Sequence, residues 1–154
     1  MEGYFNDPDA TARAFEGGWF HTGDGAVVYP DGYVEIRERL KDVIISGGEN
    51  ISSIEVEGIL LRHPVVQEVA VVGVPDEKWG ESPHAFVVLR NGAAASADEF
   101  RLCARNNMAH FKVPRELTIF QELPKTSTGK VQKYLLRGRK TAISKELPCA
   151  DRFR

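Results

Sequence analysis

The sequence is poor in the residues that mark disulfide-stapled and metal-binding proteins. It has 154 residues and two cysteines, Cys103 and Cys149, far apart and without cysteine or histidine partners at metal-ligand spacing. This argues against zinc, and we expect no metal site within the chain. It also makes a reducing compartment the default expectation.

The chain also lacks a strong charge of either sign and any long apolar run. Its formal net charge is −2, which gives no electrostatic argument for binding nucleic acid or an anionic membrane. No apolar stretch approaches the ~18 residues of a transmembrane helix, and the first residues are too polar for a signal peptide. We therefore expect a cytoplasmic protein with no transmembrane segment and no nucleic-acid partner.

What the chain does contain is a stretch that changes character three times in twelve residues, from Arg39 to Asn50. A charged cluster is followed by the β-branched triplet 43–45, then by Ser-Gly-Gly, then by a polar pair before a helix. The triplet predicts a short strand, and the adjacent Gly47 and Gly48 permit a close approach to the main chain. We expect a domain to begin here, although an ordinary strand-turn-helix connection is an equal alternative on this stretch alone.

Before this stretch, the sequence predicts a short helix and a hairpin. A helix over 10–15 would have Asp9 as its N-cap. Strands at 26–29 and 33–37 flank Pro-Asp-Gly, a strong hairpin signal. This segment is too short and glycine-rich to fold alone, so it is expected to belong to something larger.

After this stretch, strand-like and helix-like patterns alternate. Ser52 with Glu55 and Ser96 with Glu99 predict capping boxes. The predicted elements are a strand at 43–45, a helix from 52 to 62, strands at 65–74 and 84–89, a helix at 96–105, a strand at 117–120 and a basic helix at 132–139. The result is an α+β domain with a small sheet of roughly three main strands and helices packed on one side.

Residues 124–130, Pro-Lys-Thr-Ser-Thr-Gly-Lys, surround a lysine with hydroxyls and amides. Such a loop suits phosphate oxygens, because amides donate hydrogen bonds and the ammonium adds a positive charge. It is not a P-loop, which needs glycine where Pro124 stands and serine or threonine where Val131 stands. From these residues alone, a solvated surface loop is the commoner alternative.

Other candidates are weak one by one. Asp24, on a glycine turn, suits the hydroxyls of a ribose, but such a carboxylate can equally cap a turn. Arg39 and Lys41 could form a solvated edge. The four histidines are scattered, and the sequence has no nucleophile elbow and no obvious pair of catalytic carboxylates.

Taken together, these pieces form an ordered series of motifs. The series is Gly-Gly-Trp-Phe-His-Thr-Gly-Asp (17–24), Asp-Gly-Tyr (31–33), Arg-Leu-Lys-Asp (39–42), Ser-Gly-Gly-Glu-Asn (46–50), Val-Val-Gly-Val-Pro-Asp (71–76), Gly-Glu (80–81) and Pro-Lys-Thr-Ser-Thr-Gly-Lys (124–130). In order and spacing it resembles the C-terminal portion of the acyl-CoA synthetases of the adenylate-forming (AMP-binding) superfamily, from residue 3 to about 139.

The resemblance implies a two-step reaction. A carboxylic acid, by this resemblance a fatty acid, would react with ATP and Mg²⁺ to give acyl-AMP, and coenzyme A would then displace AMP. A large N-terminal domain, which this sequence does not contain, would hold the acid and nucleotide. The small C-terminal domain would rotate to present a different face for each step.

Site residues follow from the resemblance position by position. Asp24 would hold the ribose hydroxyls, Arg39 would also contact the nucleotide, and Lys130 would bridge the acid and the α-phosphate during adenylation. Lys41 falls at the hinge between the two domains.

For the thioester step, the resemblance implies that Gly47 and Gly48 line the path of the pantetheine arm and that Asn50 faces the bound adenylate. Ile45 stands where some relatives carry a lysine, so any function of that lysine is absent. The acid pocket lies outside this sequence, which leaves the acid unidentified.

The implied organisation is a tail of the N-terminal adenylation domain at 1–40, a mobile C-terminal domain at 41–139 and a loose tail at 140–154. We expect the isolated chain to fold, to bind no cofactor tightly and to be inactive. One alternative is an adenylation domain that loads a carrier protein. Another is a binding or regulatory module that kept the fold and does no chemistry.

Overall fold

The computed structural model of the protein describes residues 1–137. They form two compact units, the first Met1–Asp42 and the second beginning at Val43.

The first unit opens with helix α1, Pro8–Ala14. Its N-cap is Asp7, whose carboxylate accepts a hydrogen bond from the Ala10 amide at 2.8 Å. The prediction that Asp9 caps this helix was wrong, and Asp9 lies in the first turn. The reason is Pro8, whose fixed φ and missing amide proton suit the first helical position.

The predicted hairpin is present in this unit. Strand β1 (Asp24–Val28) pairs antiparallel with β2 (Val34–Arg39). The chain reverses at Gly32, where φ is +83° and the amide donates to the Tyr29 carbonyl at 2.9 Å. A 3₁₀ turn, Leu40–Asp42, ends the unit.

Among residues 43–137, the second unit is built on a sheet of five strands rather than the roughly three predicted. The strands are β3 (Ile44–Ser46), β4 (Glu49–Ile51), β5 (Val66–Asp76), β6 (Gly80–Leu89) and β7 (Glu116–Phe120). Their order is β4-β3-β6-β5, with β7 also paired to β6, and β6 with β7 is the one parallel pair. Strand β5 thus lies at an edge of the sheet.

The strand that the sequence analysis did not predict, β4, follows a glycine turn. Gly47 and Gly48 have φ of +61° and +88°, positive at both central positions as a two-residue hairpin turn requires. They fold residues 49–51 back onto β3, so the predicted polar lead-in to the helix is strand β4. Strand β6 also begins earlier than the strand predicted at 84–89, at residue 80.

Three helices pack against this sheet, α2 (Ser53–Leu60), α3 (Ala97–Asn107) and α4 (Lys133–Arg137). On one face, buried residues of α2 and α3, among them Leu60 and Phe100, pack with Val71 and Val87. On the other face, Leu136 of α4 joins a second buried cluster. The α+β class is confirmed, whereas the prediction of helices on one side was wrong.

Both predicted serine caps are present. Ser96 and Glu99 form a complete capping box. Ser52 Oγ accepts from the Glu55 amide at 3.2 Å, but both oxygens of the Glu55 carboxylate receive hydrogen bonds from Lys112. The predicted helix at 132–139 begins at Lys133, and its last two positions, like the predicted tail at 140–154, lie outside the described residues.

Candidate functional site

The first unit brings its two predicted nucleotide-binding residues together. Asp24 begins β1 and Arg39 ends β2, and the two are partners in the strand register. Arg39 Nε lies 2.9 Å from Asp24 Oδ1, with 57% of the arginine side chain exposed. Lys41, the predicted hinge, lies exposed in the 3₁₀ turn at the end of this unit.

In the second unit, the Gly47–Gly48 turn lies directly against an aromatic ring. The Gly47 amide donates to the Trp79 carbonyl at 2.8 Å. A Cβ atom at Gly47 would lie 2.5 Å from Cε3 of the Trp79 ring, whereas one at Gly48 would meet nothing within 4 Å. Gly47 is therefore required both by its φ and by the ring beside it, Gly48 by its φ alone. Asn50, on β4, is exposed.

A second contact, made by Glu81, attaches the β3–β4 hairpin to strand β6. Glu81 Oε2 accepts from the Ile45 amide at 3.0 Å. Gly73, on β5, leaves room for this carboxylate, since a Cβ there would lie 2.8 Å from Glu81 Oε2 and 3.2 Å from Ile44 Cγ2. Sequence reasoning noted the Gly-Glu motif but did not assign this contact.

A charged cluster surrounds Trp79 at the turn between β5 and β6. The Lys78 ammonium and the Arg115 guanidinium lie 4.8 and 5.2 Å from the centre of the indole ring. Asp76 Oδ1 accepts from the amides of Lys78 and Trp79, and Oδ2 lies 3.6 Å from Arg115.

The balance of these interactions sets the charge state of Asp76. Burial alone would raise its pKa. The backbone amides of Lys78 and Trp79, the Arg115 guanidinium and the Ser82 hydroxyl together outweigh burial and lower the pKa below its ordinary value of 3.8. The carboxylate therefore stays charged and holds the turn.

The lysine loop, residues 124–132, is closed by its own backbone. Lys125 and Val131 form a β-bridge, the Thr126 amide donates to the Lys130 carbonyl at 2.8 Å, and the Gln132 amide donates to Pro124 at 2.8 Å. Gly129 takes a φ of +81° at the tip. The loop has a defined shape rather than that of a solvated coil.

The three lysines at this loop differ in their partners. Lys125 Nζ is 2.7 Å from Glu68, and Lys133 Nζ is 2.7 Å from Glu57. Lys130 is exposed, and the structure records no ion pair or hydrogen bond for its ammonium across residues 1–137. Among residues 1–137, Lys130 is thus a lysine without a recorded ion pair, and it lies in sequence between two lysines that are paired with glutamates.

The glycine turn and the lysine loop attach to opposite ends of the same strand. The Gly47–Gly48 turn contacts Trp79, just beyond the last residue of β5, whereas Lys125 pairs with Glu68 near its beginning. The eight residue steps from Glu68 to Asp76 span roughly 26 Å at strand geometry. The two predicted reaction faces are therefore well separated.

Possible metal ligands are not clustered in the described part of the chain. Residues 1–137 contain no group of three or more histidine, cysteine or acidic residues that could hold a metal ion. Within the same residues, no helix is long and apolar enough to cross a membrane.

A comparison with known protein families finds a match for the second unit. The family described as "AMP-binding enzyme C-terminal domain" matches residues 55–130, which include the lysine loop. The chain belongs to the adenylate-forming superfamily.

Relatives in this superfamily match the chain over most of its length. A 2-methylpropanoate–CoA ligase of Humulus lupulus is 49% identical over 157 residues, covering 100% of this chain and 28% of the ligase. A peroxisomal butyrate–CoA ligase of Arabidopsis thaliana is 53% identical over 141 residues, covering 89% and 24%. The chain spans about a quarter of the length of these curated relatives.

Solved structures agree. The ATP-bound MatB of Rhodopseudomonas palustris superposes with a TM-score of 0.83 at 36% identity, covering 88% of this chain and 27% of MatB. The prediction that the chain corresponds to the C-terminal portion of an acyl-CoA synthetase is confirmed by these findings. The cytoplasmic location stays a prediction, because one relative is described as peroxisomal.

Proposed function

We propose that this chain is the C-terminal portion of an ATP-dependent acid–thiol ligase acting on an aliphatic carboxylic acid. In the first step a carboxylate oxygen attacks the α-phosphorus of ATP, and pyrophosphate leaves. In the second the sulfur of coenzyme A attacks the acyl carbon, AMP leaves, and the thiol proton is released. Mg²⁺ would accompany the ATP phosphates, and an N-terminal domain would enclose the acid.

The observation that carries this proposal is the uncommitted ammonium of Lys130 in a shaped loop. Adenylation gathers negative charge around the α-phosphate, and a fixed cation in a site closed to water stabilises that charge. One such donor contributes on the order of 10²–10³-fold in rate. Lys125 and Lys133 are unsuited to this role, since each is already neutralised by a glutamate.

The separation of the two loops supports the second half of the proposal. Gly47, Gly48 and Asn50, about 26 Å of strand away from the base of the lysine loop, would serve the thioester step. A glycine turn suits this role because a long, narrow pantetheine arm needs a path without side chains. One placement of the domain cannot bring both loops to the same acyl carbon, so we propose that the domain rotates about Lys41.

The proposed roles of Asp24 and Arg39 are to hold the ribose and contact the nucleotide. Their mutual ion pair, at 2.9 Å, preorganises both side chains. In the isolated chain these charges act in water, where a pair at ~4 Å contributes only about 1 kcal/mol. The chain alone is therefore proposed to be folded, to bind ATP weakly if at all, and to be inactive.

The test is a chimera in which this chain replaces the matching C-terminal segment of the Humulus lupulus 2-methylpropanoate–CoA ligase. Acid-dependent pyrophosphate release measures adenylation, and thioester formation from supplied acyl-AMP measures the second step. Lys130→Ala is expected to slow adenylation about 10²–10³-fold and to leave the second step largely intact. Lys41→Pro, which fixes one backbone torsion, is expected to impair one step far more than the other.

The same assays decide among the alternatives. Equal losses in both steps for Lys130→Ala would contradict its assignment to adenylation, and unchanged rates for Lys41→Pro would place the hinge elsewhere. A non-catalytic module would leave the chimera inactive, while the ligase rebuilt with its own segment works. Acyl transfer to a carrier protein in preference to coenzyme A would favour the loading alternative.

A further inference from the structure

The outer side of edge strand β5 is covered by side chains rather than by another strand. The Val71 amide, on this strand, donates to Oε1 of Glu57 at 2.7 Å. Glu57 projects from α2 and is only 16% exposed. An edge amide that would otherwise face solvent is thus satisfied by a nearly buried carboxylate.

Lys133 completes this arrangement from the other side. Its Nζ lies 2.7 Å from the same Oε1 of Glu57 and donates to Ser53 Oγ at 2.9 Å. The lysine side chain is 19% exposed, and Ser53 is fully buried. One ammonium therefore joins the start of α4 to α2 and, through Glu57, to β5.

The position of Lys133 in the chain indicates what this junction is for. It is the first residue of α4, where a cation is unfavourable because the helix dipole is positive at that end. Helix α4 has only five residues, too few to be stable without tertiary contacts. The Lys133 junction supplies such a contact three residues after Lys130, directly at the exit of the lysine loop.

The entry of the loop is held differently. Lys125 pairs with Glu68 through side chains that are 31% and 29% exposed, and no further hydrogen bond of Lys125 Nζ is recorded among residues 1–137. An ion pair whose side chains are about one-third exposed holds its partners less tightly than a buried pair. The less exposed Lys133 junction, with two acceptors for one ammonium, is the stronger of the two attachments.

We propose that Lys133 is a positioning residue: clamped by Glu57 and Ser53, it fixes the exit of the lysine loop on strand β5 and so sets the position of Lys130 for adenylation. Its effect on catalysis rests on the proposed function, whereas its effect on the loop does not. Lys133 itself contacts no substrate in this proposal.

The experiment measures amide hydrogen exchange by NMR in the complete 154-residue chain. Lys133→Met keeps the length and apolar stem of the side chain but removes the ammonium. The amides of Thr126, Gly129 and Gln132, which are hydrogen-bonded within the loop, are expected to exchange about tenfold faster or more. Core amides of β5 and β6, such as those of Val72 and Val87, should change much less.

The matched control is Lys112→Met. Lys112 forms an ion pair of the same 2.7 Å length with Glu55, also on α2, but is not attached to the lysine loop. The Lys112→Met variant is expected to leave the exchange rates of the loop amides unchanged. Lys133→Arg, which keeps the charge, should restore most of the protection.

A second variant covers the case in which Lys133→Met fails to fold. Glu57→Gln can still accept from the Val71 amide but removes the negative charge, and it should reproduce the faster loop exchange. The proposal is overturned if loop and core amides accelerate equally, if neither variant changes loop exchange, or if Lys112→Met has the same effect.

The effect of Lys133 on catalysis is measured in the chimera described above. Lys133→Met is expected to reduce adenylation about tenfold while thioester formation from supplied acyl-AMP is retained. Loosened loop amides with unchanged adenylation would overturn the catalytic part of the proposal. Should Lys130→Ala itself leave adenylation unchanged, the proposed function fails, and the exchange data still decide whether Lys133 holds the loop.

Discussion

The glycine turn at 47–48 and the lysine loop at 124–132 are the two shaped surfaces at the ends of strand β5, and they are held by opposite means. The turn is held by close backbone contact, with Gly47 against the Trp79 ring and its amide on the Trp79 carbonyl. The loop is held by long side chains, with Lys125 and Lys133 reaching to Glu68 and Glu57.

This difference fits what each surface has to present. In the proposed function, a turn without side chains leaves an open path for the pantetheine arm, so the turn should tolerate little added volume. In the proposed function the loop presents the Lys130 ammonium, for which no partner is recorded among residues 1–137, while two glutamates neutralise the neighbouring Lys125 and Lys133. Added volume should therefore damage the turn, and lost charge should damage the loop.

The largest effect of added volume is expected for Gly47→Ala. The methyl group would lie 2.5 Å from Trp79 Cε3 at a φ of +61°. The positive φ costs roughly 1–2 kcal/mol, and the overlap adds roughly 1–3 kcal/mol of overpacking. In the chimera, the thioester step should fall while adenylation persists, the reverse of Lys130→Ala.

Gly48→Ala is the matched control for this variant. Its φ is also positive, at +88°, but its new methyl group would meet nothing within 4 Å. Unfolding in urea measures both variants in the 154-residue chain. Equal losses of unfolding free energy would show that the Trp79 ring does not constrain the turn.

A smaller effect is expected for Gly73→Ala, which has no unfavourable φ. Its methyl group would lie 2.8 Å from Glu81 Oε2 and so displace the carboxylate from the Ile45 amide. We expect a loss of roughly 1–3 kcal/mol in unfolding free energy. In a Glu81→Ala background most of the overlap is gone, and the same substitution should cost about 1 kcal/mol less, within the usual range for residues in contact.

If the losses of unfolding free energy from Gly73→Ala and Glu81→Ala simply add, Gly73 is not needed to leave room for the Glu81 carboxylate. The contact with Ile44 Cγ2 at 3.2 Å would then account for the whole loss.

Local signals in the sequence predicted most of the elements of the fold. The hairpin in the first unit, both serine caps and the strands from 66 and 116 follow from turn residues, capping patterns and β-branched runs. The missed strand β4 was also within reach, since Gly-Gly after a strand-like run is a known signal for a two-residue hairpin turn. It was passed over because Glu49 and Asn50 are poor strand formers.

Long-range contacts could not be predicted in this way. Lys125 and Glu68 are 57 residues apart, as are Lys112 and Glu55, and nothing local distinguishes such partners from other charged pairs. The parallel pairing of β7 with β6, and the second apolar face that Leu136 covers, also depend on the assembled sheet. Motif order identified Lys130, but the reason it differs from its neighbours is visible only in three dimensions.

The smallest effect concerns Asp76, a charged group that helps to hold the turn between β5 and β6. Its pKa in the folded protein lies below the ordinary 3.8, despite burial, because the Lys78 and Trp79 amides and Arg115 favour the carboxylate. A group with a lowered folded pKa adds stability above its unfolded pKa and loses it as the pH falls through the folded value. This contribution should therefore be complete at pH 7 and should disappear below about pH 4, toward the folded pKa.

Asp76→Asn tests the sign directly. The amide oxygen can still accept from the two backbone amides, but without charge, so the variant should be slightly less stable than the parent at pH 7. Urea unfolding across the range from pH 7 to pH 2.5 should show the two curves converging at the acid end. Asp98→Asn, which removes a mostly exposed carboxylate paired with Arg101 on α3, controls for the loss of charge alone. A parent that is less stable than the variant at pH 7, with the difference shrinking toward low pH, would mean that charged Asp76 destabilises the turn, and this would contradict the lowered pKa.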